Sequence, residues 1–240
     1  MKNLIIALFL LGSINLLAQS NRQYIGLSAG PAFPMNDFAK AQLSDTTSGF
    51  AKTGINIKLV YSYKITHNFG LQAHFIFNSN NIDLEAIKKE AIDLIPNYSF
   101  SIESSQAWST GGVYISPFLR FPITEKLTWE IKGDIGITGA YSPQYTIRGT
   151  NTDTQEKTEY FRNSDKAFGL GLGGGTSILY QLRKYKISLN FDYLYSNLKF
   201  KEISGWGWTS PSDPDGTPYN ISANRKMSVA SVSIGLAYNL

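Results

Sequence analysis

The chain of 240 residues contains no cysteine and only two histidines. Without cysteine there is no disulfide framework, no cysteine-based zinc site and no lipid-anchored N-terminal cysteine. The formal net charge is only +4, and Lys and Arg are scattered rather than clustered. That distribution lacks the basic patch of a nucleic-acid binder. Beyond the N-terminus no segment has the roughly 18 consecutive apolar residues of a membrane-crossing helix. Any membrane association must therefore use another element. The length suits one domain with a sizeable core or a closed barrel.

The first residues, "MKNLIIALFLLGSINLLAQS", place Lys2 before an apolar run from Leu4 to Leu11, with small or polar residues up to Ala18. This is the anatomy of a secretory signal peptide, with Leu16 an imperfect residue three before the cut. Residues 1–18 are expected to be removed on export, leaving 19–240 as one domain.

The rest of the chain is dominated by alternation. "INIKLVYSYKI" sets Ile55, Ile57, Leu59, Tyr61, Tyr63 and Ile65 against Asn56, Lys58, Ser62 and Lys64. "LTWEIKGDIGIT" and "YKISLNFDYLY" repeat the pattern. A period of two sends successive side chains to opposite faces, as in a strand with one apolar and one polar face. Eight such strands are predicted, near 22–33, 50–65, 69–78, 107–121, 127–140, 166–182, 185–199 and 225–240. "NNIDLEAIKKEAIDLIP" breaks the pattern. Its spacing of Ile87, Ala91, Leu94 and Ile95, an i,i+4 pair of Glu85 with Lys89, and Pro96 as a stop predict a short helix in a loop. The helix is expected to cap the barrel mouth or to lie on lipid headgroups, the cap being favoured.

Connections alternate strictly between short and long. The short ones fall at 66–68, 122–126 and 183–184; the long ones at 34–49, 79–106, 141–165 and 200–224. An up-and-down barrel collects the tight turns at one rim and the long loops at the other, as transmembrane outer-membrane barrels do. The predicted polar face carries mid-strand charges: Lys58, Lys64, Arg120, Glu130, Lys132, Asp134, Lys186 and Asp192. In an eight-strand lumen these can pair across a space just wide enough for side chains. The apolar face is rich in rings (Tyr61, Tyr63, Phe69, Trp129, Tyr180, Tyr185, Tyr193, Tyr195 and Tyr238), suited to aromatic girdles at the lipid headgroups. Strands of about 10–16 residues are long enough to cross a bilayer at a tilt. In the last strand Met227 and Val229 have the opposite parity to Val232, Ile234, Leu236 and Tyr238, so a bulge is expected near Ala230 or Ser231.

The first strand "YIGLSAGPAF" (Tyr24 to Phe33), the long first loop, the second strand "GINIKLVYSYKI" and the final "SIGLAYNL" resemble the PorT-like outer-membrane β-barrel proteins of Bacteroidetes. The resemblance spans nearly the whole mature chain and implies an envelope barrel, some relatives of which serve in secretion. Such barrels commonly end in an aromatic residue, whereas Leu240 stands last here.

Chemistry is sparse. His67 falls in a predicted turn and His74 on the lumen face of the third strand, with Ser79 five residues on and no acid fixed nearby. Asp213 and Asp215 before Gly216 lack the further acids and closing Glu of a calcium loop, and Pro-Asp-Gly is a turn sequence. Trp206 and Trp208, in the last long loop, could grip a sugar, a lipid headgroup or a partner, or sit in the outer girdle. No catalytic, cofactor-binding or metal residue emerges. "GLGLGGGTSILYQL" (169–182) has the glycine density of a phosphate loop but lacks the helix that must follow. Gly169, Gly171, Gly173 and Gly175 instead fall on the lumen face, where they would make room for bulky neighbours such as Arg120 or Phe118.

The expectation is an all-β protein: an eight-stranded antiparallel up-and-down transmembrane β-barrel with a short helix in one outer loop. It would be a monomer in the cell outer membrane, in contact with its lipid, with a non-enzymatic structural or interaction role and a protein or glycan partner at the outer loops. Nucleic acid is not an expected partner. A lipid-modifying barrel enzyme, a soluble lipocalin-like carrier and a narrow channel are the alternatives.

Overall fold

In the computed structural model the described residues are 22–104, 106–210 and 213–240; the expected signal peptide, 1–18, lies outside them. The elements are β1 (Gln23–Met35), β2 (Gly54–Lys64), β3 (Phe69–Asn80), α1 (Leu84–Leu94), β4 (Tyr98–Glu103), β5 (Trp108–Pro122), β6 (Leu127–Tyr141), β7 (Tyr145–Asn151), β8 (Lys157–Arg162), β9 (Lys166–Leu182), β10 (Tyr185–Thr209) and β11 (Asp213–Asn239). Eight of the strands close a ring in the order β1-β2-β3-β5-β6-β9-β10-β11, every pair antiparallel, with β11 returning to β1. These are the eight strands the alternation predicts. Among the described residues no helix is long and apolar enough to cross a membrane.

Side chains sort by parity as the pattern requires. Ile137, Ile234 and Phe168 are about two-thirds exposed on the outer surface, with Leu27, Ile55, Val113 and Leu170 beside them. A continuous apolar ring of this kind is far larger than the patches soluble monomers leave bare, and it fits contact with lipid. Tyr63, Phe69, Trp129, Tyr180, Tyr185 and Tyr238 stand outward near the short-turn rim, with edge contacts such as Tyr185–Tyr238 at 5.5 Å. The chain enters and leaves the barrel at this rim.

Beyond the opposite rim the outer connections are more ordered than expected. The predicted loop 200–224 is a continuation of the β10–β11 hairpin, paired from Ile203↔Ile221 to Gly207↔Thr217. The predicted loops 79–106 and 141–165 contain β4, β7 and β8, which extend upper β10 into a small sheet in the order β10-β8-β7-β4. Its strands are short: β4, YSFSIE, alternates but over only six residues, and β8, KTEYFR, has no regular alternation. The helix forms as expected, with Asp83 accepting from the Ala86 N–H at 3.1 Å and Ile95 closing onto Ala91 at 3.0 Å.

The bulge expected near Ala230 or Ser231 is absent. The register between β1 and β11 is constant from Tyr24↔Asn239 to Met35↔Ser228. Met227 and Val229 break the apolar outer pattern because they face inward, into an apolar cluster at the mouth. The irregularities in this hairpin lie higher on β10, between Phe200 and Ile203 and between Gly207 and Thr209.

Candidate functional site

The lumen is the chemically densest region. Lys58, Arg120, Glu130, Lys132, Asp134, Lys186 and Asp192 all point inward and are buried, as the parity predicts; Lys64 is half-buried at the short-turn rim. Asp192 sits at the centre, its two oxygens 2.5 Å from Lys58 Nζ and 2.7 Å from Lys132 Nζ. Toward the short-turn rim Arg120 Nε donates to Glu130 at 2.7 Å, and Gln72 Nε2 donates to the same carboxylate at 2.5 Å. Arg120 also lies over the Phe118 ring, and Lys186 over the Tyr24 ring at 4.5 Å. Charges so far from water persist because they are paired and hydrogen-bonded. The spaces left along the inner wall are about 20 Å³ each, room for little more than a water.

The β9 glycines leave this wall bare, as expected, but for different neighbours. A Cβ on Gly175 would lie 2.5 Å from Asp192 Oδ1, and one on Gly171 2.8 Å from the Tyr114 ring. Across the β6–β9 pair Gly175 and Gly173 stand opposite Lys132 and Asp134. The room is thus for Tyr114 and the central charges, not for Arg120; Phe118 rests against Gly70 instead.

His74 is buried and stacked on Tyr114 at 5.5 Å. Its Nδ1 is 3.3 Å from Ser116 Oγ, and its Nε2 is 3.8 Å from Asp134 Oδ1. Ser79, on the same strand, faces away from it by parity. The hydroxyl and the acid come from β5 and β6, through the register His74↔Tyr114 and Ile115↔Ile135. A search along one strand misses them, whereas pairing neighbouring strands in order finds them. The arrangement does not activate a nucleophile. Ser116 donates its proton to Asp134 at 2.6 Å, whereas an attacking serine must give it to the imidazole.

The mouth is closed by the first outer loop rather than by the helix. Between β1 and β2 the chain turns inward through a 3-10 turn at Asn36–Phe38. Phe38 packs edge-on against Trp108 at 5.6 Å, and Trp108 against Phe200 at 5.9 Å. Leu198, Ile203, Met227 and Val229 complete the apolar layer. Trp108 Nε1 donates to the Gly49 carbonyl at 2.8 Å, fastening the loop. α1 buries Ile87 and Ala91, leaves Leu94 and Ile95 exposed, and reaches the loop through Glu90, which accepts from the Leu43 N–H at 3.3 Å. The expected Glu85–Lys89 ion pair does not form; Lys52 approaches Asp83 at 3.8 Å instead.

Trp206 and Trp208 lie on the outer part of β10, opposite Phe161 and Glu159 of β8. They belong to the outer sheet. Asp215 lies just past the hairpin tip, and Gly216 has a left-handed φ of 74°. Among the described residues no group of three or more His, Asp or Glu is arranged to hold a metal ion.

Over residues 4–239 the chain matches the family described as "Outer membrane protein beta-barrel domain". No curated protein sequence matches it. Among solved structures it is similar to Neisserial surface protein A, at 11% identity with a TM-score of 0.48, covering 92% of this chain and 98% of that one. It is also similar to a major outer membrane protein from Thermus thermophilus, at 13% identity and a TM-score of 0.44, over 91% and 99% of the two chains. The attachment invasion locus protein Ail of Yersinia pestis matches at 14% identity and a TM-score of 0.42, over 90% and 97%.

Proposed function

The chain belongs to the outer membrane protein β-barrel family, and from that premise we propose a non-enzymatic, non-conducting role as an envelope structural or interaction protein. The observation that carries this reading is the filled lumen. The Lys58–Asp192–Lys132 cluster crosses the barrel under an apolar plug built from Phe38, Trp108 and Phe200. Both layers would have to break for a solute to pass. The outer sheet of β4, β7, β8 and the β10–β11 hairpin, with Trp206 and Trp208, is the part that would meet a protein or glycan partner, and the barrel acts as a single chain. The narrower kinship with PorT-like proteins, and with it a part in secretion, belongs to this proposal. It rests on the strands Tyr24–Phe33 and Ser233–Leu240.

Planar bilayers test the reading. The purified, folded chain is expected to give no stepwise current at moderate voltage, while the Asp192→Ala, Phe38→Ala double variant gives flickering openings. Stable unitary steps from the unaltered chain would overturn it. An enzyme reading draws on Ser116, His74 and Asp134, but these sit in mid-lumen beneath the plug and away from the lipid rim. His74→Ala is accordingly expected to leave the mass of extracted lipid A unchanged in the producing cell.

A further inference from the structure

The outer mouth holds a feature for which the envelope role has no use. A cavity of about 300 Å³ lies between the first outer loop, β7, β8 and the outer part of β11. Its wall is largely apolar and aromatic, with Trp108, Tyr145, Tyr160 and Ile221, and exposed Thr46 at its edge. Two cations also line it, Arg162 from the end of β8 and Arg225 from β11. Both are more than nine-tenths buried, at 8% and 5% exposure.

Neither guanidinium has a carboxylate within salt-bridge distance among the described residues. Arg162 donates from Nη1 to the Tyr145 hydroxyl at 3.3 Å, while its Nε and Nη2 are buried without a hydrogen-bond partner. Arg225 donates from Nη1 to the carbonyls of Ser48 and Thr47, and its Nε is likewise unpartnered. Each guanidinium also lies over a ring: Arg162 over Tyr145 at 5.5 Å, Arg225 over Trp108 at 5.6 Å. Asp45 is the acid in the lining, and it is already engaged. It accepts from Lys40 Nζ at 2.6 Å and from the Thr47 N–H and hydroxyl, contacts that hold its carboxyl well below the usual range.

Two buried, like-charged groups with spare donors are costly unless an anion joins them. A guanidinium's planar fork matches an oxyanion, and the surrounding rings suit a flat apolar body. We propose that this cavity binds an organic oxyanion, a phosphate, sulfate or carboxylate on a flat or apolar body. The free donors of Arg162 and Arg225 would receive the oxygens, and Trp108, Tyr145 and Tyr160 would face the body. The site is independent of whether the lumen conducts.

Calorimetric titration of the folded chain in a non-ionic detergent tests it, with phenyl phosphate as the probe and benzyl alcohol as its neutral counterpart. Phenyl phosphate is expected to bind and benzyl alcohol to bind at least tenfold more weakly. Arg162→Gln and Arg225→Gln should each weaken phenyl phosphate about tenfold or more, and Arg148→Gln, on the outer sheet, should not. Should Arg225→Gln fail to fold, as its gel mobility would reveal, the unaltered chain and Arg162→Gln still decide. Equal binding of probe and alcohol, no binding of either, or unchanged affinity in Arg162→Gln would each overturn the proposal. Dihexanoyl phosphatidic acid, set against dihexanoyl phosphatidylcholine, separates two sources of the ligand. Displacement of the probe by the acid alone assigns the oxyanion to a lipid headgroup, and displacement by neither assigns it to a free solute.

Discussion

Asp192 holds two buried ammonium groups at once, so removing it strands both. Breaking a buried ion pair by deleting one partner costs about 3–5 kcal/mol, far more than the intact pair contributes. Asp192→Ala is therefore expected to lose about that much stability in urea unfolding, and Asp192→Asn, which keeps a polar side chain there, less. The exposed contacts of Arg148 with Glu103 and Glu159 make the contrast. Arg148→Gln should cost under about 1 kcal/mol. Glycine gives a second test at this scale. Gly171→Val would drive a side chain into the Tyr114 ring, and overpacking of this kind costs about 1–3 kcal/mol. Gly133 faces outward with nothing within 4 Å of an added Cβ, so Gly133→Ala should be neutral or stabilising by about 0.5–1 kcal/mol. Urea titration of the pair in one detergent checks both signs. The inward residues of the spanning strands were legible in the sequence because strand parity alone assigns them. Their partners were not. Which lysine meets Asp192, or which hydroxyl meets His74, depends on the stagger between strands, and no single strand encodes it.

At the scale of elements, the lipid-facing strands and the helix could be read because each carries a periodic contrast between two environments. The outer sheet carried that contrast only over short stretches: β4 alternates for six residues and β8 not at all. The β10–β11 tip, with "GWGWTSPSDPDGTPY", has the Gly, Pro and Asp of a loop, yet it is paired almost to its end. Long-range pairing overrides local preference there. Arg162 and Arg225 escaped notice for the same reason: Arg162 fell in a segment read as a loop, and Arg225 at the first residue of a strand. The first outer loop also lacks periodicity, and its role follows from where Phe38 packs. Phe38→Ala is expected to cost about 3–5 kcal/mol of docking energy. The freed loop should then be cut by trypsin at Lys40 or Lys52 while the barrel stays intact. Limited proteolysis followed by mass spectrometry reads this directly; an uncut loop would mean that other contacts hold the plug.

For the whole molecule, the alternation of short and long connections carried most of the architecture. It places the start of β1, the end of β11 and the tight turns at one rim and the loops at the other, as the closed ring shows. A closed ring has no free edge, so its unfolding is expected to be cooperative and slow. The folded chain, kept in detergent without boiling, should migrate differently from the boiled chain on a gel. Identical mobility, together with solubility in plain buffer, would refute the membrane barrel.

The longest two strands, β10 and β11, each continue from the short-turn rim into the outer hairpin, bent only by local register shifts. Whatever grips that tip therefore has hold of the wall itself. A pull directed away from the cell loads the hydrogen bonds of β10 with β9 and of β11 with β1 in shear, many at once. Such a ribbon would pass a load applied at its hairpin into the barrel wall as shear shared over many hydrogen bonds, rather than peeling them one at a time.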